Sequence, residues 1–186
     1  MNIIVKPDGS DLCYCRPDTT WERENKDFYS PECVNEIFFA PIIFARVCKA
    51  GKCVGRKFVA RYYDGIGCGV LLYGATDKGM TSYIDKSSIL PMPLYNPSVL
   101  EDGNKVLVTQ IGPNGHTQED SIILSTAKAL LEDTICRSSE LISLRIGDYV
   151  AVELDAMKLL AGREDGETSV KGSFCENDIF DFKVIF

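Results

Sequence analysis

Two long apolar segments limit the folds that this sequence can adopt. Residues Val34–Arg46 and Gly65–Tyr73 are rich in Ile, Val, Leu and Phe, a composition that favours buried strands. The second segment carries Gly65, Gly67 and Gly69 on alternate residues, so the three glycines share one face of a strand. Glycines in such a position allow another segment to pack closely against that face. We therefore expect a core made mainly of β-strands.

Shorter patterns add further strands and one helix. Pro41 interrupts the first apolar segment and predicts an edge, a bulge or a bend there. Lys105–Ile111 and His116–Ile123 flank an Asn-Gly turn and are predicted to pair as a hairpin. Residues 125–142 have apolar side chains near the helical period, and Ser125 is the expected N-cap. Additional strands are predicted at Ile3–Val5, Tyr149–Leu154 and Ile179–Phe186. The sequence thus predicts a mixed α/β, β-rich fold with one main helix.

Length and charge restrict the classes of partner. A chain of 186 residues fits a single domain spanning residues 1–186. The 27 acidic side chains outnumber the 20 Lys and Arg, for a formal charge of −7, which argues against nucleic acid and anionic membrane as partners. No apolar segment approaches the ~20 residues of a membrane span. Because the first residues also lack the pattern of a signal peptide, we expect a cytoplasmic protein.

Eight cysteines are many for such a chain, and we expect them to be reduced, buried thiols that act as small hydrophobic side chains. Cys13, Cys15, Cys48 and Cys53 offer an alternative, a site with four thiolates around zinc. Neither of their spacings is the two-residue separation typical of structural zinc, which disfavours that alternative.

Residues typical of catalysis are sparse. His116 is the single histidine, it lies beside the Asn-Gly turn, and no Gly-x-Ser-x-Gly motif accompanies it. The segments Ile37–Arg46 and Gly65–Tyr73 contain no carboxylate, so they offer no oxygen ligand for a hard cation. Between them, residues 61–64 read Arg-Tyr-Tyr-Asp and are interpreted as a helix end with an Arg61–Asp64 pair.

Several motifs in order resemble the fumarylacetoacetate hydrolase family, especially its short bacterial members related to acylpyruvases and hydroxyhepta-diene-dioate isomerases. The strongest is Ala45-Arg46-Val47-Cys48-Lys49-Ala50-Gly51-Lys52, followed by Phe58-Val59-Ala60-Arg61-Tyr62-Tyr63-Asp64. Weaker motifs extend the resemblance over nearly the whole chain: Ile4-Val5-Lys6-Pro7-Asp8, Asn114-Gly115-His116-Thr117-Gln118, Ser139 through Asp148, and Phe180-Asp181-Phe182. The resemblance implies the family's β-roll and its homodimer.

The resemblance also implies where the family's working residues would lie. Family enzymes hold Mg²⁺ or a similar cation with a Glu-x-Glu pair and an Asp, and these positions are Ala40, Ile42 and Leu71 here. The family's catalytic lysine falls at or near Ser82 when Asp85 is aligned with the family's Asp. A Gly-Thr-Pro signature is replaced by Val152-Glu153-Leu154. The resemblance therefore predicts no catalytic residue and no metal ligand at the family positions.

Two hypotheses on function follow. The first is a non-catalytic relative that has lost its metal ligands, needs no cofactor and acts as a binding or structural homodimer, with another protein as a further potential partner. Its residual pocket for a small carboxylate would use Lys6, Arg46, Arg61, Asp64 and Lys86. The alternative is a Mg²⁺- or Mn²⁺-dependent hydrolase, decarboxylase or isomerase of small oxo-acids that uses relocated residues: Glu36, Asp64, Asp77, Asp85, Lys86 and His116.

Overall fold

The computed structural model describes residues 1–101, 105–112 and 118–186, which form two β-sheets and one α-helix. The first strands are β1 (Asn2–Lys6), β2 (Tyr14–Pro17), β3 (Trp21–Glu22), β4 (Phe28–Tyr29), β5 (Glu36–Val47), β6 (Tyr63–Thr76), β7 (Gly79–Thr81) and β8 (Ser88–Ile89). They are followed by β9 (Val106–Gly112), β10 (Gln118–Ile123), helix α1 (Ala127–Leu141), β11 (Tyr149–Glu153), β12 (Lys158–Gly162), β13 (Glu167–Phe174) and β14 (Asn177–Ile185). The predicted β-rich fold with one main helix is confirmed.

The two apolar segments form the central strands of the larger sheet. Its nine strands run β2-β1-β11-β5-β6-β8-β3, with β12 also beside β5 and β7 beside β6. Strands β5 and β6 pair antiparallel along almost their whole length, from Glu36 opposite Ala75 to Val47 opposite Tyr63. Nearly all of their side chains are buried, which explains why both segments are continuously apolar.

Pro41 lies in the middle of a central strand, and the expected edge, bulge or bend is wrong. On one side of β5, β11 pairs with residues 42–46 and β12 with residues 36–39, so Pro41 falls between these partners. Its carbonyl accepts from the Leu154 N–H at 2.9 Å. In a strand, the N–H of a residue points to the same side as its carbonyl. The N–H that Pro41 lacks would therefore point into this junction, where neither β11 nor β12 pairs with residue 41.

The alternating glycines of β6 allow close packing, as expected. A Cβ atom on Gly67 would overlap the ring of Phe44, and one on Gly69 would overlap the carbonyl oxygen of Ile89. Strand β8 and the residues after it therefore press directly on the backbone of β6.

The smaller sheet has five strands in the order β10-β9-β13-β14-β4. The predicted pairing of β9 with β10 is confirmed, from Val106 opposite Ile123 to Ile111 opposite Gln118. Its Asn-Gly turn and His116 lie outside the described residues. The sequence patterns did not predict β12 or β13, because polar and glycine residues at 162–166 separate two short segments of mixed composition.

Helix α1 begins two residues later and ends one residue earlier than the predicted range of 125–142. The N-cap position is Thr126, whose backbone is close to helical (φ −104°, ψ −4°), and no side chain caps the helix; the expected Ser125 cap is wrong. Its buried face, with Leu131 and Ile135, packs against β5 and β11 of the larger sheet, in one apolar cluster with Ile43 and Val150. Within the described part of the chain, no helix combines the length and hydrophobicity that a membrane span requires.

The larger sheet buries both faces. One face packs against α1 and the smaller sheet through two apolar clusters. The opposite face, which carries Ala40, Ile42 and Leu71 and is called the site face below, packs in a third cluster with side chains from β1, β11 and the segment around Leu90.

Candidate functional site

The three positions at which the resemblance predicts the family's metal ligands lie together on the site face. Ala40 is directly opposite Leu71 in the pairing of β5 with β6, and Ile42 is two residues further along β5. Residues that lie opposite each other, or two apart on one strand, point to the same face of a sheet. The register of β5 and β6 therefore makes these three positions neighbours in the fold.

This place is an apolar cluster closed to solvent. Ala40, Ile42 and Leu71 each have 0% of their surface exposed. Around them pack Val5, Phe44, Leu90 and other apolar side chains, and Tyr149 contacts the rings of Phe44 and Trp21 at centroid distances of 5.7 and 5.4 Å. A hard cation needs several oxygen ligands to offset its desolvation. These three side chains supply none.

A carboxylate does lie at the margin of the site face. Glu153, at the end of β11, is directly opposite Ile42 and is 6% exposed. Its Oε1 accepts a hydrogen bond from the hydroxyl of Tyr73, and its Oε2 accepts one at 3.0 Å from the backbone N–H of Asp8. The Tyr14 and Tyr73 hydroxyls are 2.6 Å apart. Protein donors thus occupy both carboxylate oxygens.

The phenol of Tyr73 is held in its neutral form. Burial is the main cause that raises its pKa, and the nearby carboxylate of Glu153 raises it further against the opposing effect of Arg16. On the opposite side of the sheet, burial and a 2.9 Å hydrogen bond to Glu132 raise the pKa of Tyr63. Both phenols therefore act as hydrogen-bond donors to carboxylates.

The raised pKa values predict loss of stability at alkaline pH. A phenol with a raised pKa stabilises the folded chain fully below its unfolded-state pKa of about 10 and loses this contribution as the pH rises toward the folded value. We expect the free energy of unfolding to fall above about pH 10, by up to about 1.4 kcal/mol per pH unit for each tyrosine. Urea midpoints at about pH 8 and about pH 11 measure this fall, which should be shallower in Tyr73→Phe. The exposed Tyr29→Phe variant is the control; an equal slope in all three proteins contradicts the prediction.

A buried arginine completes the polar network beside the site face. Arg16 is 1% exposed. Its guanidinium donates to the carbonyls of Leu72 at 3.0 Å and Ser87 at 3.2 Å and to the hydroxyl of Ser88 at 3.2 Å. It also lies 4.4 Å from the centre of the Tyr73 ring. Neutral acceptors from β6, from β8 and from Ser87 just before β8 therefore hold a cation at the site face.

The sequence patterns missed both charged groups of this network. For Glu153 the usable signal is a charge inside the predicted apolar strand Tyr149–Leu154. Arg16 gave no signal, because it belongs to a polar stretch that is typical of a loop. Its burial depends on Ser87 and Ser88, which are 71 and 72 residues away.

The structure brings together two residues of the predicted residual pocket, Arg46 and Asp64, and places the other three elsewhere. Arg46 and Asp64 form a double hydrogen bond, Nε to Oδ1 at 3.0 Å and Nη2 to Oδ2 at 2.9 Å, and Asp64 raises the pKa of Arg46. The predicted Arg61–Asp64 pair is wrong, because register places Asp64 beside Arg46 on the neighbouring strand. Arg61 instead lies 5.5 Å from the ring centre of Phe58.

The other residues of that set lie elsewhere. Lys6 alternates with Ile3 and Val5 of the site face, so it points to the opposite face of the sheet. Lys86 lines a different cleft together with Asp85 and residues 25–29. Ser82, at or near which the resemblance predicts the family's lysine, is half-buried in a bend after β7.

The residues of the enzyme alternative are also spread out. Glu36 and Asp77 line two clefts at the end of β5 and β6, and Asp85 lines the cleft of Lys86. Asp64 is paired with Arg46, and His116 lies outside the described residues. Across residues 1–101, 105–112 and 118–186, no group of three or more His, Cys, Asp or Glu side chains is arranged to hold a metal ion.

All eight cysteines are free thiols, but the expectation that they are buried holds for Cys68 alone. Cys15, Cys33 and Cys53 are exposed and the other four are half-buried. Cys13 and Cys15 belong to the start of the chain near β1, whereas Cys48 contacts the carbonyl of Arg61. The four thiols of the zinc alternative do not form a metal-binding group among the described side chains.

Comparisons with known proteins identify the fold. A candidate fumarylacetoacetate hydrolase family protein from Yersinia pestis CO92 superposes with a TM-score of 0.76, 14% identity and coverage of 99% of this chain and 92% of the other. Fumarylpyruvate hydrolase from Pseudomonas aeruginosa, in complex with Mn²⁺ and pyruvate, superposes with a TM-score of 0.73 and 12% identity, and the match covers 100% of this chain and 90% of the other. Maleylpyruvate hydrolase from Sphingobium sp. SYK-6 superposes with a TM-score of 0.73 and 13% identity, and the match covers 99% of this chain and 70% of the other. No family model and no curated protein sequence matches the chain. The resemblance seen in the sequence is confirmed at the level of the fold.

Proposed function

We propose that this chain is a non-catalytic protein built on the fumarylacetoacetate hydrolase fold, which has lost the family's metal site and acts as a binding or structural homodimer. The observation that supports the proposal best is the complete burial of Ala40, Ile42 and Leu71 in one apolar cluster. Where the fold's relatives are expected to hold a cation, this chain has a packed core.

The chemistry supports the same conclusion. Reactions of oxo-acids pass through enolates or oxyanions, and stabilising that developing charge is the largest contribution to catalysis. A bound cation supplies this stabilisation in a metal-dependent enzyme. Here Ala40, Ile42 and Leu71 offer no ligand for such a cation, and the nearby carboxylate of Glu153 is hydrogen-bonded to protein donors.

The proposal includes a homodimer in the cytoplasm. The family resemblance supports the dimer, and Leu12, Leu141 and Ile146, each more than 70% exposed, are apolar side chains that an interface would cover. Eight free thiols support a reducing compartment. Light scattering of the purified protein should give about twice the chain mass of 20.6 kDa.

Thermal unfolding tests the loss of the metal site. We expect the same midpoint with EDTA and with excess Mg²⁺ or Mn²⁺, and no turnover of fumarylpyruvate or oxaloacetate. A cation present at 100 times its dissociation constant would add about 2.7 kcal/mol of stability, which a scan resolves easily. A midpoint raised by Mg²⁺ or Mn²⁺ together with turnover would contradict the proposal and support the enzyme with relocated residues.

A further inference from the structure

Two adjoining clefts lie where β5 begins and β6 ends, outside the site face. The first has a volume of about 610 Å³ and the second about 470 Å³, and both are lined by Asn35 and Thr76. Glu36 and Leu159 belong to the first cleft, and Met80 belongs to the second. The two clefts together are called the end surface below.

The end surface exposes large apolar side chains in both clefts. Leu159 is 56% exposed in the first, and Met80 and Tyr83 are 49% and 73% exposed in the second. Methionine and tyrosine contribute adaptable apolar contact area at interfaces. Each cleft therefore offers a contact for one apolar side chain of a partner.

The charge of the end surface is strongly negative. It carries five carboxylates and two basic side chains: Glu32, Glu36, Asp77, Glu164 and Asp165 against Lys78 and Arg163. In the described part of the chain, Glu32, Glu36 and Glu164 form no ion pair. Arg163 is bound internally, because its Nη2 donates to the carbonyls of Glu32 at 2.8 Å and Val34 at 2.7 Å.

The floor between the clefts is held by hydrogen bonds. The backbone N–H of Asn35 donates to Ala75 at 2.8 Å, and its carbonyl accepts from Arg163 at 3.0 Å. The Asn35 side chain donates to Asp77 at 2.8 Å. A preformed surface of this kind loses little conformational entropy when a partner binds.

We propose that the end surface binds a cationic segment of another protein, with Lys or Arg side chains against the carboxylates and an apolar side chain in each cleft. The sign of the charge excludes nucleic acid and anionic lipid. It also disfavours a contact between the end surfaces of two copies of this chain, because the carboxylates of one would face those of the other. The proposal does not depend on the loss of the metal site.

Selection from a random peptide library tests the proposal, with peptides of about 12 residues, enough to cross both clefts when extended. We expect the immobilised chain to enrich cationic peptides that contain at least two large apolar residues. Their affinity should fall at least about tenfold in the variant Glu32→Gln/Glu36→Gln/Glu164→Gln. The control Glu140→Gln/Glu176→Gln/Asp178→Asn changes the net charge equally on other exposed positions and should retain the affinity within about twofold.

A second pair of variants tests the apolar contacts. Tyr83→Ser should weaken binding of the selected peptides, whereas Tyr29→Ser, which removes a tyrosine of similar exposure from β4, outside the end surface, should not. Selection of no peptide, selection of peptides without positive charge, or equal weakening by both triple variants would each overturn the proposal. Any of these results leaves the proposed function standing, because that is judged by the response to metal ions and by turnover.

Discussion

Leu71→Asp is expected to lower the free energy of unfolding by about 5 kcal/mol at neutral pH. Truncating a fully buried leucine costs about 2.7–5 kcal/mol on its own. The introduced carboxyl group finds no donor among the apolar neighbours Ala40, Ile42 and Leu90, so its desolvation adds to this cost. Chemical denaturation at about pH 7 measures the loss.

The pH dependence separates desolvation of charge from lost packing. Burial would raise the pKa of the introduced carboxyl group above its unfolded value of about 3.9. A raised carboxyl pKa means that the folded state binds more protons, so the deficit grows as the pH rises above about 4. Leu71→Asn is the matched control, because its neutral amide creates a similar packing defect with no such pH dependence.

Adding Mg²⁺ to Leu71→Asp tests the opposite possibility, that the site face can still bind a cation. If Leu71→Asp unfolds at the wild-type denaturant concentration and excess Mg²⁺ stabilises it further, an open, partly formed cation site remains on this face. That result would contradict the packed cluster on which the proposed function rests. We expect Mg²⁺ to have no effect on the variant, since one carboxylate is too few ligands for a hard cation.

The sequence predicted the larger sheet well because its central strands are buried on both faces. The segments at β5 and β6 are continuously apolar, so burial on both faces of a sheet is the arrangement that removes all of their side chains from water. The family motifs, taken in their order along the chain, also predicted three positions that meet on the site face. They meet because the fold fixes the register of β5 and β6. Burial of Ala40, Ile42 and Leu71 agrees with the physical chemistry of their side chains.

The remaining features depend on contacts between distant residues. The pairing of Arg46 with Asp64 and the place of Pro41 follow from register and from the junction of β11 with β12, which single segments do not encode. The end surface combines residues from 32–36, 75–83 and 159–165 and has no motif of its own. Arg16 is buried only because three distant acceptors converge on it.

Arg16→Ala is expected to cost about 3 kcal/mol of stability, because it leaves the buried carbonyl of Leu72 without a donor and removes the other hydrogen bonds of the guanidinium. The carbonyl of Leu72 would lose its guanidinium donor, and an unsatisfied buried group costs about 1–3 kcal/mol. The carbonyl of Ser87 would lose one of its two donors and keep the backbone N–H of Leu72 at 2.7 Å. The ring of Tyr73 would lose the cation stacked over it. The denaturant midpoint measures the loss.

Two control variants show that the network, and not the charge alone, is responsible. Arg137→Ala removes an exposed arginine that pairs with Asp11 and Asp133 and should cost no more than about 1 kcal/mol. Arg16→Lys keeps the charge, but its single ammonium group cannot reach the fork of acceptors that the guanidinium serves, so most of the loss should remain. If Arg16→Ala proves no worse than Arg137→Ala, Arg16 does not hold β2 against β6, and the stability of the site face comes from its apolar cluster alone.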